Sequence, residues 1–197
     1  MSSTAPGFAL KEWSVVCDLL AAGAIALLPR KGGIREFGGP GVFELEHDEF
    51  FLFPTLEHEK PDRIKPEFLT KAGRAVGAPS PVDRGTLRIT ARAKVGLVRR
   101  VPSREAFDRL DDLHPWLPPA IDMRFDYKPE NPLYLVALRV FRLREPREIP
   151  HRDVYRGCRS WVPLENADTP SPAGDPAVSD ADFAAVLARV DAAFARP

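Results

Sequence analysis

The sequence predicts an α+β fold in which a curled, mixed, barrel-like β-sheet carries helices at its periphery. Three observations point there. Thr86 to Val95 alternates without a break, with Leu87, Ile89, Ala91, Ala93 and Val95 on one face and Arg88, Thr90, Arg92 and Lys94 on the other. That two-residue period is the pattern of a half-buried strand. Ala24 to Leu28 and Phe50 to Phe53 are uniformly apolar, as strands covered on both faces are. Helical patterns are too few between the strands for a doubly wound sheet.

In chain order, Phe8 to Ala22 reads as a helix covering one opening of the curled sheet. Leu10, Trp13, Cys17 and Leu20 share one face, and Lys11, Glu12, Ser14 and Asp18 the other. Gly23 falls where a left-handed C-terminal cap belongs. Pro29 has no N–H to give, so the strand from Ala24 ends there or lies at an edge. Gly32-Gly33 and the run Gly38 to Gly41 mark bends around Ile34 to Phe37. Phe43 to Glu46 and Phe50 to Phe53 suit a hairpin, and a polar excursion from Glu57 to Gly85 holds one short helix, Glu67 to Val76. Ser103 caps a helix to Leu113, which the segment His114 to Pro119 stops. Leu133 to Leu143 and Cys158 to Leu164 are further strands. The reading is one domain over 8–165, a proline-rich linker over 166–178 and a final helix over 179–197. Ser179 and Asp182 form a capping signature for that helix, and Phe183, Val186, Leu187, Val190 and Phe194 make its apolar stripe.

Composition sets limits on function. A chain of 197 residues with 44% hydrophobic and 28% charged side chains has material for one sizeable core and is not of the disordered class. Twenty-eight basic residues balance twenty-eight acidic ones, so any nucleic-acid site must be local rather than a global basic field. No apolar run approaches a membrane-spanning length, and no secretory signal is read at the N-terminus. With only Cys17 and Cys158 as cysteines, reduced thiols and a cytoplasmic location are expected.

Two polar blocks follow the two apolar strands. Arg30, Lys31, Arg35 and Glu36 sit on a glycine-rich turn, where backbone N–H groups are free to approach a phosphate that the cations neutralise. The same residues also suit a solvated connection. Thr55, Glu57 and His58 follow the second strand and could supply a general base with an orienting carboxylate. Pairing of 24–28 with 50–53 would bring the blocks together. Arg156 and Arg159 flank Cys158 and would lower its thiol pKa if both approached it. Trp13, Trp116 and Trp161 stand in apolar neighbourhoods and read as core aromatics rather than stacking platforms. His58 with His47 and Glu44 or Glu46 is a conceivable metal set, but no Cys-x-x-Cys or His-x-x-x-His occurs. Neither metal, disulfide nor organic cofactor is expected.

Four blocks, Ala9 to Trp13, Arg30 to Glu36, Phe50 to His58 and Tyr155 to Leu164, resemble a bacterial family catalogued as a conserved domain of unknown function, over roughly Phe8 to Leu164. A helix, a small-residue turn and a strand ending in basic residues are also similar to the opening of PUA-like barrels, especially the ASCH group, which share a G-x-K-x-x-E-x-R-type strand. Gly23 is present, while Ala26 to Leu28 lack the lysine and glutamate of that pattern. The segment 138–146 leading to 157–164 looks like the closing strands of that group. The resemblance implies a PUA-like β-barrel whose cleft holds nucleic acid or modified bases.

The functional expectation is therefore a nucleic-acid or nucleotide-like anion-binding domain, with RNA or DNA as partner. Arg30, Lys31, Arg35, Glu36, Arg88, Arg92 and Lys94 would carry the contacts, with Arg99 and Arg100 extending the basic row. Two alternatives stay open. One is a metal-dependent nuclease or hydrolase using Glu44, Glu46, Asp48 and Lys94. The other is a non-catalytic protein-interaction module.

Overall fold

The alternating stretch at 86–95 becomes one side of a long antiparallel ladder in the computed structural model, which describes residues 7–31, 46–74, 86–150, 152–157 and 160–195. In chain order the elements are β1 (Phe8–Trp13), α1 (Ser14–Ala21), β2 (Leu27–Lys31), β3 (Glu49–Thr55), α2 (Pro66–Lys71) and β4 (Thr86–Arg100), then α3 (Arg104–Asp108), α4 (Pro118–Asp126), β5 (Leu133–Pro150), β6 (Trp161–Pro163), β7 (Gly174–Pro176) and α5 (Asp180–Phe194). The strands form a seven-stranded sheet in the order β2-β5-β4-β3-β1-β6, with β7 pairing β5. β1 and β3 run parallel, and the other pairings are antiparallel. Two register shifts in the β4–β5 ladder, between Ile89 and Ala91 and between Val95 and Leu97, sharpen its twist. The sheet curls into a half-barrel, so that Arg30 on the β2 edge meets Glu12 of β1 near the far end of the strand order.

The helix expected over 8–22 is two elements. Phe8–Trp13 is a strand lodged between β3, with Ala9 opposite Phe51, and β6, with Leu10 opposite Trp161. Pairing on both sides overrides a local pattern that suits a helix equally well. The chain turns helical only at Ser14, and α1 packs its buried Val15, Val16, Leu19 and Leu20 into the curl. Gly23 does end it in the left-handed region, at φ 71°. Its N–H donates to Leu20 O and that of Ala24 to Leu19 O, the paired bonds of a Schellman cap.

Three other expectations shift. The strand read at 24–28 begins at Leu27 and runs through Pro29, which the edge position tolerates. It pairs β5 rather than β3, and both β5 and β4 lie between them. The segment from His114 to Pro119 does not only stop a helix: Pro118 and Pro119 open α4, since proline suits the first helical turn, where its missing N–H has no partner to lose. Within the stretch read as a linker, β7 pairs Phe141 to Leu143 of β5. Residues 43–45 of the expected hairpin lie outside the described residues.

β3 explains its own composition. Phe50 and Leu52 join a core with α1, β5 and α5, whereas Phe51 and Phe53 join a second core with Ala9, Ile89, Tyr155 and Val162. Both faces of the strand are covered, as its unbroken apolar run requires. α5 closes the first core through Val190 and Ala193, and the Phe183 ring lies 2.6 Å from where a Cβ on Gly96 would stand. Ser179 Oγ accepts from the Asp182 N–H at 3.1 Å and donates to its carboxylate at 2.6 Å. Ser179→Ala is expected to cost about 1 kcal/mol, read as a lower urea midpoint with an unchanged slope.

Candidate functional site

Because adjacent residues of a strand face opposite ways, Lys11 and Glu12 serve two different environments. Lys11 is turned into the second core, where its Nζ donates to the carbonyls of Tyr155 and Gly157 at 2.8 and 2.9 Å and pairs with Glu57 at 3.2 Å. Glu12 faces the mouth of the half-barrel. Its Oε1 accepts the Trp13 N–H at 2.8 Å, and its Oε2 lies 3.1 Å from the Arg30 guanidinium. Arg30 also approaches Lys11 O at 3.5 Å. The end of β1 and the edge strand β2 are thus joined across the opening.

α4 lies beside this junction and completes a cleft of about 360 Å³ lined by Glu12, Trp13, Pro29, Arg30, Lys31, Met123, Arg124 and Tyr127. Lys31 Nζ donates to Phe125 O at 2.6 Å, and its pKa is lowered by burial against the opposing pull of Glu130 and Asp126. The Arg124 guanidinium sits 4.8 Å above the Trp116 ring and donates to Ala120 O. Burial lowers its pKa to about 10, with Glu12 favouring its charge and Arg30 opposing it, and it stays a cation at neutral pH. Met123 and Tyr127, one helical turn apart, are among the exposed large apolar side chains of the described residues and form the rim. Three cations face one carboxylate in a pocket of ligand size. Arg30 Nε is buried and has no hydrogen-bond partner.

Arg30 and Lys31 therefore enter the cleft, and the other sequence candidates go elsewhere. Glu57, with its N–H bonded to Thr55 Oγ1 at 3.0 Å, is tied to Lys11 on the opposite side of β1. His58 is exposed, with φ 60°. Arg156 pairs with Asp153 at 2.9 Å. Arg92 is held by Glu49, by Pro172 O at 2.7 Å and by the Phe141 ring 4.0 Å away, and it lines a separate depression with Arg144 and Ser171. Arg88 and Lys94 stand exposed on β4, opposite Glu148 and Arg139 of β5. Arg99, further along, pairs with Asp191. Arg35, Glu36, Cys158 and Arg159 lie outside the described residues, as does Glu44.

His47 stacks on Phe8 at 3.9 Å and meets Trp161 edge-on. Among the described residues no group of three His, Cys, Asp or Glu side chains is close enough to hold a metal ion. Cys17 is buried and its thiol pKa is raised well above the ordinary value by burial and by nearby Glu12, the opposite of an activated nucleophile. No helix among the described residues is long and apolar enough to cross a membrane.

Sequence reasoning missed Glu12, Trp13, Arg124 and Tyr127. Trp13, read as a core residue, is half-buried and lines the cleft, while Trp116 and Trp161 are buried. The one available signal for the α4 residues was the Pro-Pro pair ahead of an apolar-basic stretch.

A family model described as a domain of unknown function, DUF1802, matches residues 9–189. The chain belongs to that family. The match runs into α5, beyond the stretch to Leu164 that the sequence blocks mark. No curated protein matches the sequence. Among solved structures, the ASCH protein of Zymomonas mobilis is similar at a TM-score of 0.47 and 10% identity, covering 82% of this chain and 89% of that one. A serine-to-alanine mutant of it gives 0.48 at the same identity and coverage.

Proposed function

We propose that the cleft binds a nucleotide-like anion, in particular a short stretch of single-stranded RNA or DNA. The observation that carries this reading is the excess of cations in a concave site: Arg30, Lys31 and Arg124 surround a single carboxylate, beside the aromatic rings of Trp13 and Tyr127. Arginine recognises phosphate through paired N–H donors, and Arg30 and Arg124 both line the cleft. Aromatic faces beside a basic groove suit unstacked bases, which a duplex does not offer.

Fluorescence anisotropy with labelled single strands and duplexes at several salt concentrations tests this. Single strands should bind more tightly than duplexes. Log affinity should fall linearly with log salt, with a slope of about −1.4 to −2 for two or three phosphate contacts. Arg30→Gln should weaken binding by roughly tenfold, in line with the loss of a charge-assisted hydrogen bond. Binding that ignores salt, or an Arg30→Gln protein that binds like wild type, would sink the reading.

A further inference from the structure

The cleft contains one group that phosphate binding does not use. Glu12 would repel a phosphate, yet it stands inside the site beside the cations, its side chain 13% exposed. A carboxylate offers about four lone-pair positions, all acceptors. Trp13 N–H takes one on Oε1, and the Arg30 guanidinium is ion-paired with Oε2 at 3.1 Å. Each oxygen therefore keeps capacity for one further donor.

We propose that the cleft selects guanine, with Glu12 accepting the two adjacent N–H groups of the base's Watson–Crick edge. The inference rests on the nucleotide reading of the cleft and names its base. Guanine alone among the common bases presents two neighbouring donors, N1–H and N2–H, spaced to meet two carboxylate oxygens. Adenine and cytosine each set a ring-nitrogen acceptor beside their amino group, so one carboxylate oxygen would face a lone pair. Uracil flanks its single N–H with two carbonyl oxygens. Stacking does not discriminate, because every base has a π-face, so Trp13 and Tyr127 supply grip and Glu12 supplies choice. Arg30, ion-paired with Glu12, is left to meet the phosphate with Lys31 and Arg124. The pocket volume of about 360 Å³ falls in the range of small-ligand sites and suits one nucleotide of a bound strand.

Isothermal titration of the whole chain at low salt with GMP, IMP, AMP, CMP, UMP and inorganic phosphate is the test. GMP should bind about tenfold more tightly than AMP, CMP or UMP, the discrimination usual for one bidentate pair. IMP, which lacks the N2 amino group, should fall between. Glu12→Gln should reduce GMP to the affinity of AMP, with circular dichroism confirming its fold. If that variant fails to fold, the comparison of GMP with IMP on wild type decides alone. Equal affinity for GMP, IMP and AMP, or phosphate binding as tightly as GMP, would overturn the proposal. Arg30-dependent oligonucleotide binding without guanine preference would remove base selection and leave the anion site standing. Loss of both nucleotide and oligonucleotide binding would end both readings.

Discussion

Trp116→Ala should lower stability by about 3–5 kcal/mol, the usual cost of emptying a large aromatic site. Trp116 is 1% exposed and belongs to the main core. It also holds two peripheral pieces in place, through a bridge to Ile64 and a ring beneath the Arg124 guanidinium. Its indole N–H has no partner, so part of the loss is offset by removing a buried unsatisfied donor. Thermal denaturation should register a fall of roughly 10 °C for a chain of this length. The effect reaches function, because Arg124 loses the surface it lies on. Oligonucleotide affinity should fall even where the variant is still folded. Stability within 1 kcal/mol of wild type would show that the α4 region is not coupled to the core as its packing implies.

The second large effect is a pH dependence centred on His114. The side chain is 2% exposed, stacks on Phe107 at 4.7 Å, and neither ring nitrogen has a hydrogen-bond partner. Burial, and then Lys65, lower its pKa from the ordinary 6.5 to about 4; Asp111 opposes the shift, and Arg104 and Arg124 add to it. The folded protein therefore holds His114 neutral where the unfolded chain has begun to take up a proton. Stability from this group is fully present above pH 6.5 and is lost as pH falls towards 4. The difference amounts to about 3 kcal/mol over that window. Urea titrations of wild type and His114→Leu should diverge there: wild type weakens on acidification, and the variant loses this component. Parallel pH profiles for the two proteins would refute the assignment to His114.

How much was legible depended on whether the deciding contact was local. β4 could be read because its period of two directly reports which side is covered, and α5 because Ser179 and Asp182 mark its start within four residues. β1 could not. Ala9, Leu10 and Lys11 are all buried, so the segment has no one-sided pattern, and its strand character comes from β3 about forty residues on and β6 about one hundred and fifty residues on. The cleft divides the same way. Arg30 and Lys31 were visible as a basic block after an apolar strand. Glu12 was hidden by the helical reading of its segment, and Arg124 by the reading of two prolines as an end rather than a beginning. Their meeting depends on the curl of a sheet whose edge strands are far apart in sequence.

The opposed tethers of Lys11 and Glu12 also bear on how β1 finds its alignment. Hydrophobic pattern alone sets a weak register here, because Ala9 and Leu10 are both buried, on opposite faces. A slip of one residue would still set an apolar side chain into each core, so hydrophobicity alone does not forbid it. It would also turn Lys11 towards Arg30 and Glu12 towards the carbonyl oxygens of Tyr155 and Gly157, placing cation against cation and acceptor against acceptor. Two neighbouring charges of opposite sign thus act as a key cut for one alignment, penalising misthreaded chains that the apolar residues would accept.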